Sequence, residues 1–319
     1  MSKLVRSLAL GVCLTLTLAL STACQPAQVG TATNTVDVRC QFLTYTVETD
    51  WYFPTGTPRA LVWLQHGFTE SKDDWDETAR TLAESGYLTM ATTLPTADIF
   101  GCTVSNIGNN TPFLNNVASM LAGLGDPTSA LGRSHANAAS QAGHAGQAMP
   151  QKLLMSGHSA GGEAVLYVAN RLRTSHTTTF AKLKGLVLAD PVKSFIGDNT
   201  DAALTGLSAS ALRVHALAAP PYSCNSDQSG TQAVIAKLPG RFHGAQITTG
   251  AHGDIFGGSA NALGTATCGT PQAANVAAAR ALMLGWFADM ETGSTTASYY
   301  PGGTLFQALA GAGTITPLP

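Results

Sequence analysis

Residues 152–162 read Lys-Leu-Leu-Met-Ser-Gly-His-Ser-Ala-Gly-Gly. A short apolar run, Leu153 to Met155, meets Gly157-His158-Ser159-Ala160-Gly161, and a helical pattern follows. G-x-S-x-G between a buried strand and a helix predicts a sharp turn. That turn lifts the Ser159 hydroxyl above a sheet edge, next to the positive end of the helix. The glycines let the backbone bend without a Cβ clash. A hydroxyl held this way reads as a nucleophile. The plainer reading is a serine that caps the following helix.

The segments around this turn repeat one theme. Arg59 to Gln65 is an apolar strand followed by His66-Gly67-Phe68. Ser71 to Ser85 reads as a helix that Ser71 caps, and Tyr87 to Leu94 as a strand stopped by Pro95. Thr111 to Leu124 looks helical. Asp126 to Gly146 is small and Ala-rich, helix or loop, with His135 and His144 read as surface residues. After the central helix, Ala160 to Arg173, come strands Leu183–Ala189, Arg213–Ala219 and Phe242–Thr248, then a long helix from Gln272 to Met290. Before all of these, Cys40 to Val47 alternates as an early strand, and Asp50 to Phe53 forms a second. Strands alternating with helices predict an α/β fold with a mostly parallel central sheet. Only about 20 residues separate Val192 from Arg213, too few for a large cap domain at that point. Trp63 reads as core.

A serine hydroxyl is a weak nucleophile at neutral pH. It needs a base, and the base needs an orienting carboxylate. His252 stands just beyond the C-terminal end of a strand, on the edge where Ser159 emerges. His243 falls near the start of that strand, at the other edge. His215 lies inside a strand and reads as a core residue. Asp190, in Asp190-Pro191-Val192, ends the strand after the central helix. Asp227 lies in the loop after the next strand and is the alternative acid. Asp254 reads as a local cap, and His66 as a prop for its own turn.

In these motifs the chain resembles the α/β-hydrolase serine esterases, from about Leu61 to about Asp289. Its likeness is to the chlorophyllase-like and cutinase-like (bacterial polyesterase) branch. The resemblance implies a Ser159, Asp190, His252 triad in that chain order. The Asp-Pro-Val turn is similar to the one that carries the acid in chlorophyllases, whereas typical polyester hydrolases take it from the later loop, where Asp227 lies. It implies an oxyanion hole made by the backbone N–H groups of Phe68 and Ala160, with Phe68 lining the acyl pocket. It also implies a carboxylester substrate, short-chain or bulky and polymeric. A lipase, an amidase or peptidase, or an acyltransferase could use the same triad, and a non-catalytic binding protein could use the same fold.

The chain has 319 residues with 11% charged and a net charge of −2. That suits one large-cored, compact domain and argues against nucleic acid as a partner. Lys3 and Arg6 precede an apolar run from Leu8 to Leu20, then Ser21-Thr22-Ala23, the pattern of an export signal over residues 1–23. Cys24 follows, in a setting similar to a bacterial lipobox except that Ser21 stands where Leu is usual. Lipid attachment at Cys24 and simple secretion both remain open. Residues 24–38 read as a linker, 39–290 as the catalytic domain, and 291–319 as a tail anchored by Tyr299, Tyr300 and Phe306. Cys40, Cys102, Cys224 and Cys268 are expected to form two disulfides in an oxidising compartment. Of three possible pairings, Cys40–Cys102 and Cys224–Cys268 is the one expected, since the second would join the loops holding the late catalytic residues. No H-E-x-x-H, paired C-x-x-C or phosphate-binding glycine loop occurs. No metal or organic cofactor is expected, and the enzyme is expected to be a monomer.

Overall fold

The computed structural model describes residues 28–319. The expected export signal and Cys24 lie outside the described residues. Among the described residues nine strands form one sheet. In chain order they are β1 (Gly30–Cys40), β2 (Leu43–Phe53), β3 (Leu61–Gln65), β4 (Leu88–Thr92), β5 (Leu153–His158), β6 (Leu183–Ala189), β7 (Arg213–Ala218), β8 (Gly244–Ile247) and β9 (Ile315–Pro317). Across the sheet they run β1-β2-β4-β3-β5-β6-β7-β8-β9. The six strands from β4 to β8 are mutually parallel, and antiparallel strands close both edges. This is the expected mostly parallel α/β sheet.

The helices are α1 (Asp76–Glu84), α2 (Thr111–Ala122), α3 (Ala130–Gln141), α4 (Ala160–Ser175), α5 (Thr177–Lys182), α6 (Asn199–Ser208), α7 (Ser229–Lys237), α8 (Ala262–Cys268), α9 (Ala273–Thr292) and α10 (Thr304–Gly311). Strand alternation divides the core in two. Leu61 and Trp63 of β3 pack with Phe113 of α2, Leu131 of α3, Val165 of α4 and Leu204 of α6. Val62 and Leu64 face the other way, onto Ala79 of α1 and Leu282 and Trp286 of α9. A sheet covered on both faces needs apolar residues at every position of its central strands, and β3, β4 and β5 are buried throughout. Only α6 intervenes between β6 and β7, so no cap domain sits at that point.

Four expectations need correcting. The segment read as a linker becomes a strand at Gly30, which pairs with Phe53, and the ladder runs on to Cys40 opposite Leu43. Its signal is an alternation confined to the last residues, where Val36, Val38 and Cys40 turn inward while the Thr- and Asn-rich positions before them stay at the surface. The two short strands expected over 40–53 are one strand, β2, entered by a tight turn with Gln41 at φ 54°. His135 is not a surface residue. It lies on α3, buried with its ring 5.5 Å from Trp51 and 5.7 Å from Phe53. The chain beyond residue 290 does more than pack on the domain. Trp286 donates to the Tyr299 carbonyl at 2.9 Å, Phe306 is buried, and β9 extends the sheet.

His215 is buried against Trp286, with ring centroids 5.3 Å apart, and burial holds its pKa down at about 4 instead of the ordinary 6.5. Burial does the same to His135. Below pH 6.5 the unfolded chain binds protons that these folded imidazoles refuse, so this part of the stability is complete above that pH and is lost as pH falls toward 4. The thermal midpoint should therefore drop between pH 7 and pH 4.5. His215→Phe should show a shallower drop, by roughly 2 kcal/mol over the window. An unchanged slope in calorimetry would remove His215 as a cause.

Candidate active site

Ser159 stands between β5 and α4 with φ 53° and ψ −126°, a conformation that a side chain normally avoids. Close packing enforces it. A Cβ on Gly157 would lie 2.2 Å from the Gly161 carbonyl oxygen, and one on Gly161 would lie 2.4 Å from that of His66. The Ser159 N–H donates to the Ala189 carbonyl at 3.2 Å, and the Val192 N–H donates to the Ser159 carbonyl at 3.1 Å. The bend is thus tied to the end of β6. On its other side lies the turn after β3, where a Cβ on Gly67 would sit 2.6 Å from Ser159 Cβ. Phe68 follows on that turn and Ala160 opens α4. Neither N–H has an acceptor among the described residues. Phe68 itself is 55% exposed.

Asp190 ends β6 in another strained conformation, φ 40°. Its Oδ2 accepts from His252 Nδ1 at 2.6 Å, and its Oδ1 accepts from the Ala219 N–H at 2.9 Å and from Asn225 Nδ2 at 3.1 Å. Every partner donates, which suits an anion. Both side chains are nearly buried. With Nδ1 given to the carboxylate, Nε2 is the nitrogen able to take a proton. The Ser159 hydroxyl makes no hydrogen bond to His252 here; such contacts commonly tighten only when substrate is bound.

The competing residues lie elsewhere. Asp227 is exposed in a left-handed turn, φ 54°, and forms no hydrogen bond or ion pair with His252. His243 is held by the Leu238 and Pro319 carbonyls. His66 is buried, its Nδ1 2.8 Å from the Gly67 oxygen, and burial lowers its pKa. Asp254 accepts the N–H groups of Ala251 and Gln272, which fastens the His252 loop to the start of α9.

Four contributors were missed in the sequence. Asn225 holds Asp190, as above. Tyr222 accepts the His252 N–H at 2.6 Å and donates to the Cys268 carbonyl at 3.0 Å, with its phenol pushed up to about 12, first by burial and then by Asp190. The two disulfides expected from the sequence join Cys224 to Cys268 across this loop pair and Cys40 to Cys102 at the other side of the sheet. Glu70 and His158 form a buried pair beneath the site, with Glu70 Oε2 2.8 Å from His158 Nδ1. The signals were present, in the residue before Ser159 and in an acid three residues after Gly67, but nothing in the sequence linked them. Among the described residues no cluster of His, Cys, Asp or Glu could hold a metal ion, and no helix is long and apolar enough to cross a membrane.

The strain at Ser159 has a measurable consequence. Ser159→Gly and Ser159→Ala both remove the hydroxyl, but only glycine relieves the backbone. Ser159→Gly should be the more stable by about 1 kcal/mol, net of its greater unfolded-state entropy. Equal urea midpoints would mean that the bend is unstrained.

No family model matches the chain, and no curated protein matches it in sequence. Solved structures do match it in shape. A ferulic acid esterase from Streptomyces cinnamoneus aligns over 94% of this chain and 98% of its own, with 15% identity and TM-score 0.58. A fungal esterase from Rhizomucor miehei aligns over 84% of this chain and 86% of its own, with 13% identity and TM-score 0.55. At that identity the likeness concerns architecture, and the architecture is the α/β-hydrolase fold.

Proposed function

We infer that the protein is a serine carboxylester hydrolase with Ser159 as nucleophile, His252 as general base and acid, and Asp190 as the orienting carboxylate. The contact between His252 Nδ1 and Asp190 Oδ2 at 2.6 Å, beside the strained Ser159 turn, carries this reading. The esterases that share the fold support it. His252 Nε2 takes the Ser159 proton as Oγ attacks the ester carbonyl. The N–H groups of Phe68 and Ala160 receive the negative charge that develops on the carbonyl oxygen. His252 returns the proton to the departing alcohol, leaving an acyl-enzyme. Water, deprotonated by His252, then attacks the acyl carbon, and His252 returns that proton to Ser159 Oγ as the acid leaves.

An apolar rim supports the finer reading that the substrate is bulky or polymeric. Phe68, Ile99, Phe100, Ile107, Phe195 and Ile196 are all exposed, Phe195 at 92%. They stand on the loops that follow β3, β4 and β6, at the edge where Ser159 emerges. Soluble monomers rarely keep such residues together without a use for them. The rim is braced: Ile107 pairs with Ile196. The buried Glu163 carboxylate accepts from the Ser194 N–H at 3.1 Å and from the Thr200 hydroxyl at 2.6 Å, holding the loop that carries Phe195. Export rests on the N-terminal pattern, and the two disulfides agree with an oxidising compartment.

Hydrolysis of p-nitrophenyl esters of two to sixteen carbons tests the triad. Ser159→Ala and Asp190→Asn should each lower kcat by about 1,000-fold or more, while Asp227→Asn stays near wild type. Loss with Asp227→Asn and not with Asp190→Asn would move the acid to the later loop. For the rim, Phe195→Ser with Ile99→Ser should leave p-nitrophenyl butyrate turnover within about twofold and slow the erosion of a solid aliphatic polyester by about fivefold or more. Equal effects on both substrates would contradict a surface-docking role.

A further inference from the structure

His158 is buried, and both of its ring nitrogens face hydrogen-bond acceptors. Nδ1 lies 2.8 Å from Glu70 Oε2, and Nε2 lies 2.8 Å from the backbone carbonyl oxygen of His252. A carbonyl oxygen can only accept, so Nε2 must carry a proton. In a neutral ring the Nδ1 lone pair would then point at the Glu70 oxygen. That oxygen already accepts the Gly67 N–H at 2.6 Å. The neutral alternative, a protonated Glu70 donating to Nδ1, would leave a hydroxyl oxygen accepting the Gly67 N–H at 2.6 Å; a carboxylate is the stronger acceptor, which favours a proton on both ring nitrogens and none on the carboxylate. The pKa directions agree. Burial, the largest single cause, pulls His158 down, but Glu70, the His252 carbonyl and Asp190 together outweigh it and the net direction is up. Burial pushes Glu70 up, but the charge of His158 and the bonds it accepts bring it down. Glu70, Phe256 and His252 face His158, the last with its ring centroid 4.3 Å away; His66 also feels the charges of both Glu70 and His158, and the charge of Asp190 acts on His158 in the same direction as Glu70.

The pair bridges three separate pieces of the site. Glu70 accepts the backbone N–H of Gly67, whose neighbour Phe68 is the oxyanion donor in the proposed function. His158 precedes Ser159 in the bend itself. Its far nitrogen holds the peptide of His252. We propose that Glu70 and His158 form a permanent buried ion pair that locks the oxyanion turn and the His252 loop to the nucleophile bend, so that both act as positioning residues. This rests on the esterase reading for its kinetic consequence and on geometry alone for the pair. An ion pair does this better than a neutral bond, because charge-assisted bonds at 2.6–2.8 Å resist the displacement that an oxyanion hole cannot tolerate.

Nitrogen-15 spectra of the histidine side chains in the intact protein at pH 8 test the pair directly. One imidazole, assigned through its absence in His158→Asn, should show both ring nitrogens protonated where an ordinary histidine is neutral. Glu70→Gln should abolish that signature and shift the ring signals of His252. It should also lower kcat by about tenfold or more with KM changed by about twofold or less, and Glu70→Asp should restore part of the loss. A neutral His158 in the wild type would overturn the ion pair. Unmoved His252 signals, or wild-type kcat, in a folded Glu70→Gln would overturn positioning. If the wild type hydrolyses no ester, the esterase reading fails, and the spectra still judge the pair and its hold on His252.

Discussion

The site depends on backbone packing that leaves no room for a methyl group. Three turns, after β3, β5 and β6, meet at one point on the sheet edge. Gly157 and Gly161 press backbone on backbone within the bend, Gly161 meets the His66 carbonyl, and a Cβ on Gly162 would lie 2.8 Å from Pro191 Cβ. Because the turns touch, Ser159 is forced into its unfavourable conformation, and the Gly67 turn and Asp190 are brought beside it. The parallel strands supply the platform, since their C-terminal ends all open onto one edge. The strain is repaid in the core on both sheet faces, where Trp63 and Trp286 are fully buried.

Around that contact point, polar groups are satisfied in a chain. Asn225 and the Ala219 N–H hold one oxygen of Asp190, His252 holds the other, and the His252 backbone is in turn held by Tyr222 on one side and His158 on the other. Asp190, Asn225, His158 and His252 are buried, so an unmatched partner would be costly. The Cys224–Cys268 disulfide ties the Tyr222 loop to α8, which lowers the entropy cost of keeping this chain assembled. In the proposed esterase, a rigid interior next to an exposed apolar rim would divide labour between precise chemistry and a broad contact with substrate.

The fold was legible because its evidence is local. Apolar runs such as Leu61 to Leu64 and the glycine-framed bend at Ser159 are readable within a dozen residues, and His252 is marked by its place at a strand end, whereas preferring Asp190 to Asp227 leaned on the resemblance of the Asp-Pro-Val turn. What stayed hidden is non-local. β1 is written in Thr and Asn, and becomes a strand because β2 offers it a ladder along its whole length. His135 looked polar until α3 packed it between Trp51 and Phe53. The Glu70–His158 pair spans 88 positions, and no spacing rule joins two such residues. β9, only three residues long, exists because Thr316 finds Gln246.

The central claim is that the bend at Ser159 presents an activated nucleophile. The most direct measurement is peptide mapping by mass spectrometry after exposure to a fluorophosphonate at neutral pH. The account predicts one adduct, on the peptide carrying Ser159, formed rapidly in the wild type and far more slowly in His252→Ala. An unmodified Ser159 in folded protein, or labelling that ignores the loss of His252, would contradict it.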